Sequence, residues 1–264
     1  MCSSDLVSRF AGGMFGGTCL LLLLTQIDKI LLSRTLELSA FGYYTLAATA
    51  AGTITLLGSP VSQAWYPRLS QLQAQADRAM LIRTFHMGAQ LISVIVGTAG
   101  IVLSVFADVI MLIWTQDAVI ASHTADLVRV LTVGGLLNGM MWIPYQTQLA
   151  HGWTGLVFRM NLVAVLVIVP CLLWAVPQYG AMGAAWVWVA LNVGYVLIAA
   201  HFMFKRIIEA EKWGWYLHDV ALPLLAALVT CMIFRVAFSG IEGRAAQSVG
   251  VIIAGAGKIG RAHV

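Results

Sequence analysis

The sequence predicts an all-α fold, a polytopic transmembrane helical bundle. Three observations carry that reading: a very apolar composition, apolar runs of spanning length, and polar residues gathered into stripes along those runs. Of 264 residues, 60% are hydrophobic and only 10% charged, with a mean hydropathy of +0.88. Soluble domains carry roughly 25% charged residues, and no soluble core of this length absorbs so much apolar surface. A spanning helix needs about 20 largely apolar residues. Runs of that kind lie near 10–33, 41–66, 88–113, 127–150, 157–177, 181–204 and 220–238, and an eighth begins near 248. The connections are short, so consecutive spans are expected to run antiparallel.

The first run carries Gln26, Asp28 and Lys29 in its second half. Charges at membrane depth are costly and mark function by default. At 100° per residue, Thr18, Thr25, Gln26, Lys29 and Ser33 fall within roughly an 80° arc, a polar stripe suited to a water-filled cavity. With a start near residue 10, Asp28 lies about 26 Å along the span, near its far edge, where Lys29 can snorkel to water. Gly12, Gly13, Gly16 and Gly17 form two overlapping Gly-x-x-x-Gly pairs, which favour close helix packing.

The second run has Thr45, Thr49 and Thr53 four residues apart and is expected to break at Gly58-Ser-Pro60. Its end, Val61-Ser-Gln-Ala-Trp-Tyr-Pro-Arg-Leu-Ser70, suits an interfacial aromatic belt anchored by Arg68, or a gating element. Residues 69–87 read as a separate cytoplasmic amphipathic helix. The fourth run presents Asn138, Trp142 and Tyr145, followed by Gln146 and Gln148. The sixth presents Trp188, Asn192 and Tyr195 at the same spacing. Two helices thus carry matching amide and aromatic stripes, good surfaces for sugar rings and hydroxyls, though amides also serve plain interhelical bonding. Pro170 and Pro177 are expected to bend or end the fifth run.

Lys and Arg counts set orientation. With the start inside, Arg9, Arg68, Arg78, Arg83, Arg159, Lys205, Arg206 and Lys212 face the cytoplasm, against Arg34, Arg129, Arg235 and Arg244 outside. The inside set is the larger. The net charge of +4 is spread over short loops and does not suggest nucleic acid. Cys2, Cys19, Cys171 and Cys231 have no disulfide or metal-site spacing, and His86, His123, His151, His201 and His218 are scattered. No phosphate loop or nucleophile elbow is present. Asp28 is the only acid deep in an expected span, and Asp108 sits near an edge, thin material for acid–base chemistry. No enzyme activity and no cofactor is expected.

The ends read as foreign. Ile259-Gly-Arg-Ala-His263, written as ATC GGA AGA GCA CAC, has a reverse complement that encodes Met-Cys-Ser-Ser-Asp, which is residues 1–5. Residues 1–6 and 259–264 are therefore expected to be sequencing-adapter scars around a piece of a longer protein.

Gln26-x-Asp-Lys-Ile-Leu-Leu-Ser33, Phe41-Gly-Tyr-Tyr-Thr-Leu-Ala47, Pro60-Val-Ser-Gln-Ala-Trp-Tyr-Pro-Arg-Leu-Ser70, Ile143-Pro-Tyr-Gln-x-Gln-Leu-Ala-His-Gly152 and Tyr179-Gly-Ala-Met-Gly-Ala-Ala185, in that order, resemble the polysaccharide-biosynthesis flippases. These are O-antigen translocases of the multidrug/oligosaccharidyl-lipid/polysaccharide (MOP) exporter superfamily. The resemblance covers residues 10–205. It implies two six-helix bundles in an inverted V, of which residues 7–206 would be the second and 207–258 additional C-terminal helices. The implied function is flipping of undecaprenyl-diphosphate-linked oligosaccharide across the bacterial inner membrane by alternating access. Under it, Lys29 and Arg68 are candidate phosphate partners, and Gln26, Asn138, Gln146 and Asn192 candidate glycan contacts, with Asp28 in the same substrate-binding set. Implied partners are the lipid-linked oligosaccharide, the bilayer, the missing N-terminal half, and polysaccharide polymerase and chain-length machinery. Alternatives are an exporter of drugs or small molecules coupled to H⁺ or Na⁺ through Asp28, a flippase for the peptidoglycan precursor lipid II, and, less favoured, an integral membrane glycan-modifying enzyme.

Overall fold

A computed structural model describes residues 2–237, with side chains from Phe15 onward except at 17 and 21. The expected eighth span, Arg244 and the terminal segment 259–264 lie outside the described residues, as do the side chains of Arg9, Gly12, Gly13 and Gly17. The described residues are helical throughout and hold no strand. We number the helices α1 (Cys2–Thr35), α2 (Leu38–Ala74), α3 (Arg78–Val105), α4 (Ala107–Thr115), α5 (Ala118–Ala150), α6 (154–179), α7 (181–206) and α8 (Lys212–Ala237).

Among the described residues, four stretches are long and apolar enough to cross a membrane: Arg78–Val105, Ala118–Ala150, Thr154–Arg206 and Lys212–Ala237. The third of these is a hairpin. Gly180 sits at φ 58°, ψ −140°, outside helical space. Tyr195 donates to Asn161 Oδ1 at 2.7 Å. On a straight helix those residues would be about 50 Å apart, so the chain turns back at Gly180. Gly183 then lies so close to α6 that a Cβ there would sit 2.6 Å from the Ala175 carbonyl oxygen.

The packing follows the sequence order only in part. α1 lies against the α6–α7 hairpin, α2 against α5, and α5 is the central helix, touching α2, α3, α4 and the hairpin. Gly16 faces the Phe158 ring so closely that a Cβ at this position would lie 3.1 Å from it, which fits the close-packing role expected of this glycine. The core is built from Leu32, Tyr44, Ile54, Leu69, Phe85, Ile92, Met111, Ile143, Met203 and Trp215, all with 2% exposure or less. Outward faces carry Leu56, Leu57, Ile113, Leu166, Val167, Trp186, Ile198, Ile233 and Val236. Such a sheath costs free energy in water and none against lipid tails.

Three expectations need correction. α2 does not break at Gly58-Ser-Pro60; it runs on to Ala74 with Pro60 and Pro67 inside it. Each proline removes one backbone donor, and Gly58 lets the helix press on Trp142 and Val96, so packing holds the helix together. Residues 69–87 are not a separate helix. Leu69 and Leu72 are buried in the last turns of α2, a left-handed Ala76 (φ 55°) makes the turn, and Asp77 caps α3 by accepting from the Met80 N–H at 3.0 Å. The third span ends at Val105 rather than near 113, because Phe106 (φ −106°, ψ 24°) leaves helical space and α4 starts anew.

The two ends of the bundle separate charges as antiparallel order requires. At one end Arg235 grips Asp108 with two bonds of 3.0 and 2.8 Å, and Arg129 reaches Asp108 at 3.4 Å and Asp126 at 2.5 Å. At the other end Arg78, His151 and Arg206 line one surface pocket, with the Arg206 guanidinium 4.4 Å from the centre of the Trp153 ring.

Candidate functional site

α5 and α7 turn their amide and aromatic stripes toward each other. Asn138 donates to Asn192 Oδ1 at 2.9 Å, and Trp142 Nε1 donates to Asn138 Oδ1 at 3.2 Å. Asn192, fully buried, passes its own amide hydrogen back to the Trp188 carbonyl at 2.8 Å. A buried amide left unpaired costs about 1–3 kcal/mol, and this relay satisfies two of them at once. Asn192 is followed by a π-helical turn, Tyr195–Ala199, which widens α7 where Tyr195 reaches across to Asn161. Such wide turns often occur at functional positions.

Beside the relay lies a cavity of about 240 Å³ between α1, α5, α6 and α7. Its polar wall includes Thr18, Asn138, Trp142, Tyr145, Gln148, Thr154, Asn161 and Tyr195, and its apolar wall includes Met141, Leu149, Val157 and Met160. None of these lining residues carries a formal charge. The volume is below the roughly 300–1,000 Å³ of drug-sized pockets. It suits one neutral, hydroxyl-bearing ring held between aromatic faces and amides, and it offers nothing to neutralise a phosphate.

The other expected site residues lie elsewhere. Gln146 donates to Ser62 Oγ at 3.2 Å, tying α5 to α2. Arg68, at the exposed end of α2, donates to Gln71 Oε1 at 2.8 Å. Asp28 faces α2, where the buried Tyr44 hydroxyl donates to Oδ2 at 2.5 Å while Oδ1 has no partner. Lys29 is half-buried and Gln26 exposed. Thr25 and Ser33 spend their hydroxyls on the carbonyls of Leu22 and Ile30 in their own helix. The stripe on α1 therefore brings one residue, Thr18, to the cavity. Asp28 lies ten residues further on, about 15 Å along the helix.

Nothing in the sequence pattern singles out Asn161 or Asp219. Asn161 stands alone in an apolar run, with no periodic partner to mark it. Asp219 lies just before the apolar run at 220–238, yet α8 begins at Lys212 and Asp219 is 1% exposed. Asp28 is therefore not the only acid within a span. The described residues contain no group of three or more His, Cys, Asp or Glu side chains able to hold a metal ion.

The fold and its outward apolar faces define a polytopic, all-α membrane protein. Residues 4–117 match the family model of polysaccharide biosynthesis proteins. The match runs from α1 through α4 and contains Thr18, Gln26, Asp28, Lys29 and Arg68; the α5–α7 walls of the cavity lie beyond it. No curated protein and no solved structure matches the chain.

Proposed function

We propose that this chain takes part in moving a lipid-linked oligosaccharide across a bacterial inner membrane, as a helical bundle of a polysaccharide-biosynthesis flippase. The observation that carries the reading is the uncharged, amide- and aromatic-lined cavity between α1, α5, α6 and α7, in a chain whose residues 4–117 match polysaccharide biosynthesis proteins. The cavity holds a single sugar residue of the glycan. The prenyl tail stays in lipid, where it costs nothing to leave it. The diphosphate needs cationic partners, and Lys29 and Arg68 remain the candidates for that contact, both outside the cavity. Asn138 acts on the glycan, oriented by Asn192 buried behind it, while Gln26, Gln146 and Asp28 serve the path or the packing around it. Alternating access requires a second bundle of the same protein rocking against this one. No chemical step is assigned to the chain, and its polymerase and chain-length partners are those of the same export route.

The test is made in cells carrying the full-length gene. Replacing Asn138 and Asn192 with leucine is expected to lower surface polysaccharide at least about tenfold and to accumulate lipid-linked glycan in the cytoplasmic leaflet. Unchanged surface polysaccharide with normal protein levels would count against the reading.

A cation-coupled exporter of small molecules is favoured by one observation, the unpartnered Oδ1 of Asp28. It requires that Asp28→Asn abolish transport, whereas the flippase reading expects Lys29→Ala and Arg68→Ala to matter at least as much.

A further inference from the structure

α8 is the least embedded of the four apolar stretches, with only 6% of its most apolar window buried against the rest of the bundle. Its first two turns are the exception. Trp215 is fully buried beside Phe204, and around it the chain forms a π-helical segment, Trp215–Ala221. This segment delivers Asp219 to α3. There the His86 ring sits between two carboxylates: Nδ1 hydrogen-bonds Asp219 Oδ2, and Nε2 lies 3.1 Å from Glu211 Oε2. Gln90 donates to the other oxygen of Asp219 at 2.9 Å. Asp219 is 1% exposed, His86 22% and Glu211 36%.

The hydrogen-bond inventory of this cluster is decisive. A neutral imidazole has one N–H, and an ionised carboxylate only accepts. Two carboxylates on the two ring nitrogens therefore require one more proton than neutral ring plus two carboxylates would hold. With the proton on the ring the cluster carries a charge of −1; without it, −2, with Asp219 shut away from water. Among the described residues neither carboxylate has a Lys or Arg in salt-bridge contact. α2 turns Trp65 toward this part of α3, donating to the Thr84 carbonyl. α7 turns Phe204 toward Phe85. On α3 itself Arg83 points to solvent, and on α8 His218 is exposed. Lys212 is taken up by His201 at 3.1 Å and by the Trp213 ring.

We propose that His86, Asp219 and Glu211 form a proton-binding latch that fastens α8 to α3. The bound proton makes His86 a double donor. Its loss leaves one N–H for two carboxylates: buried Asp219 retains it, the more exposed Glu211 lets go, and the 207–222 segment loosens. The inference stands whatever the cargo of the protein is.

Two measurements on the full chain in nanodiscs test it. Ring nitrogen NMR of ¹⁵N-histidine-labelled protein, with the His86 signal assigned by its loss in His86→Gln, is expected to show both ring nitrogens of His86 protonated at pH 7. A single-N–H ring at that pH would overturn the proposal. Hydrogen exchange of residues 207–222, corrected for intrinsic rates, is expected to accelerate about tenfold or more between pH 6 and 9. In Glu211→Gln, whose amide can accept from the protonated ring nitrogen and donate to the bare one, the acceleration should be largely lost. Exchange that is flat with pH in the native chain, or a Glu211→Gln profile that superimposes on it, would overturn the proposal.

Discussion

Asn138 on α5 and Asn192 on α7 share a 2.9 Å hydrogen bond between side chains 54 residues apart in sequence. Asn192 is fully buried and Trp142 braces Asn138, so the pair is a structural tie of which Asn138 alone lines the cavity. Asn192→Leu is expected to destabilise the bundle by about 1–3 kcal/mol, because it strands the Asn138 amide. The double change to leucine should cost less than the sum of the two single changes. Unfolding of the purified protein in mixed micelles by increasing SDS fraction reads both.

Tyr44 gives Asp28 its one hydrogen bond in the described structure, at 2.5 Å, and Oδ1 of the acid already lacks a partner. Tyr44→Phe therefore leaves a half-buried carboxyl without its hydrogen bond, and a loss of about 1 kcal/mol is expected in the same unfolding assay. Asp28→Asn keeps an acceptor for the Tyr44 hydroxyl and should lose less than Tyr44→Phe does. The reverse order would show that the charge, not the hydrogen bond, matters at this position.

The α6–α7 hairpin depends on backbone that only glycine adopts easily. Gly180 combines φ 58° with ψ −140°. Gly180→Ala should cost about 1–3 kcal/mol from conformational strain alone. Gly183→Ala meets the Ala175 carbonyl oxygen at 2.6 Å and should force the two helices apart. Thermal unfolding followed by circular dichroism is expected to drop for both, while Gly52→Ala, which meets nothing within 4 Å, should not lower it.

Asp108 lies in α4, beyond the end of the spanning α3. The bidentate bond from Arg235 holds its carboxyl down, from the ordinary 3.8 to about 2. A depressed carboxyl contributes stability above its unfolded pKa and loses that contribution as pH falls through the folded value. The attachment of the C-terminal end of α8 to α4 should therefore be full above about pH 4 and fade toward pH 2. Asp108→Asn should show no such fading, and its difference from the native chain should disappear only below about pH 2. Limited proteolysis or hydrogen exchange at residues 225–237 across that range reads the effect.

Much of the fold is legible in the residues, and the exceptions have physical causes. Run length alone discloses the helices, because lipid demands about 20 apolar residues per crossing. The facing stripes on α5 and α7 are legible because Asn138–Trp142–Tyr145 and Trp188–Asn192–Tyr195 repeat one spacing. The continuity of α2 through Pro60 is not legible. It is settled by Gly58 packing on Trp142, a contact between distant helices. The burial of Asp219 is hidden because its partner His86 is 133 residues away, and hydropathy counts it as a flank of the last run. The stripe on α1 is real as a pattern, yet only Thr18 lies level with the cavity, and Asp28, ten residues further along the helix, meets Tyr44 instead.

Recognition of the glycan of a lipid-linked oligosaccharide by the uncharged cavity between α1, α5, α6 and α7 is open to direct measurement. Native mass spectrometry of the protein released from nanodiscs compares undecaprenyl diphosphate with and without its attached oligosaccharide. The glycan-bearing lipid should bind tighter, by about tenfold, and that preference should vanish in the Asn138→Leu, Asn192→Leu double variant while binding of the bare lipid persists. Equal affinity for the two lipids, or a preference unchanged in the double variant, would contradict glycan recognition by this cavity.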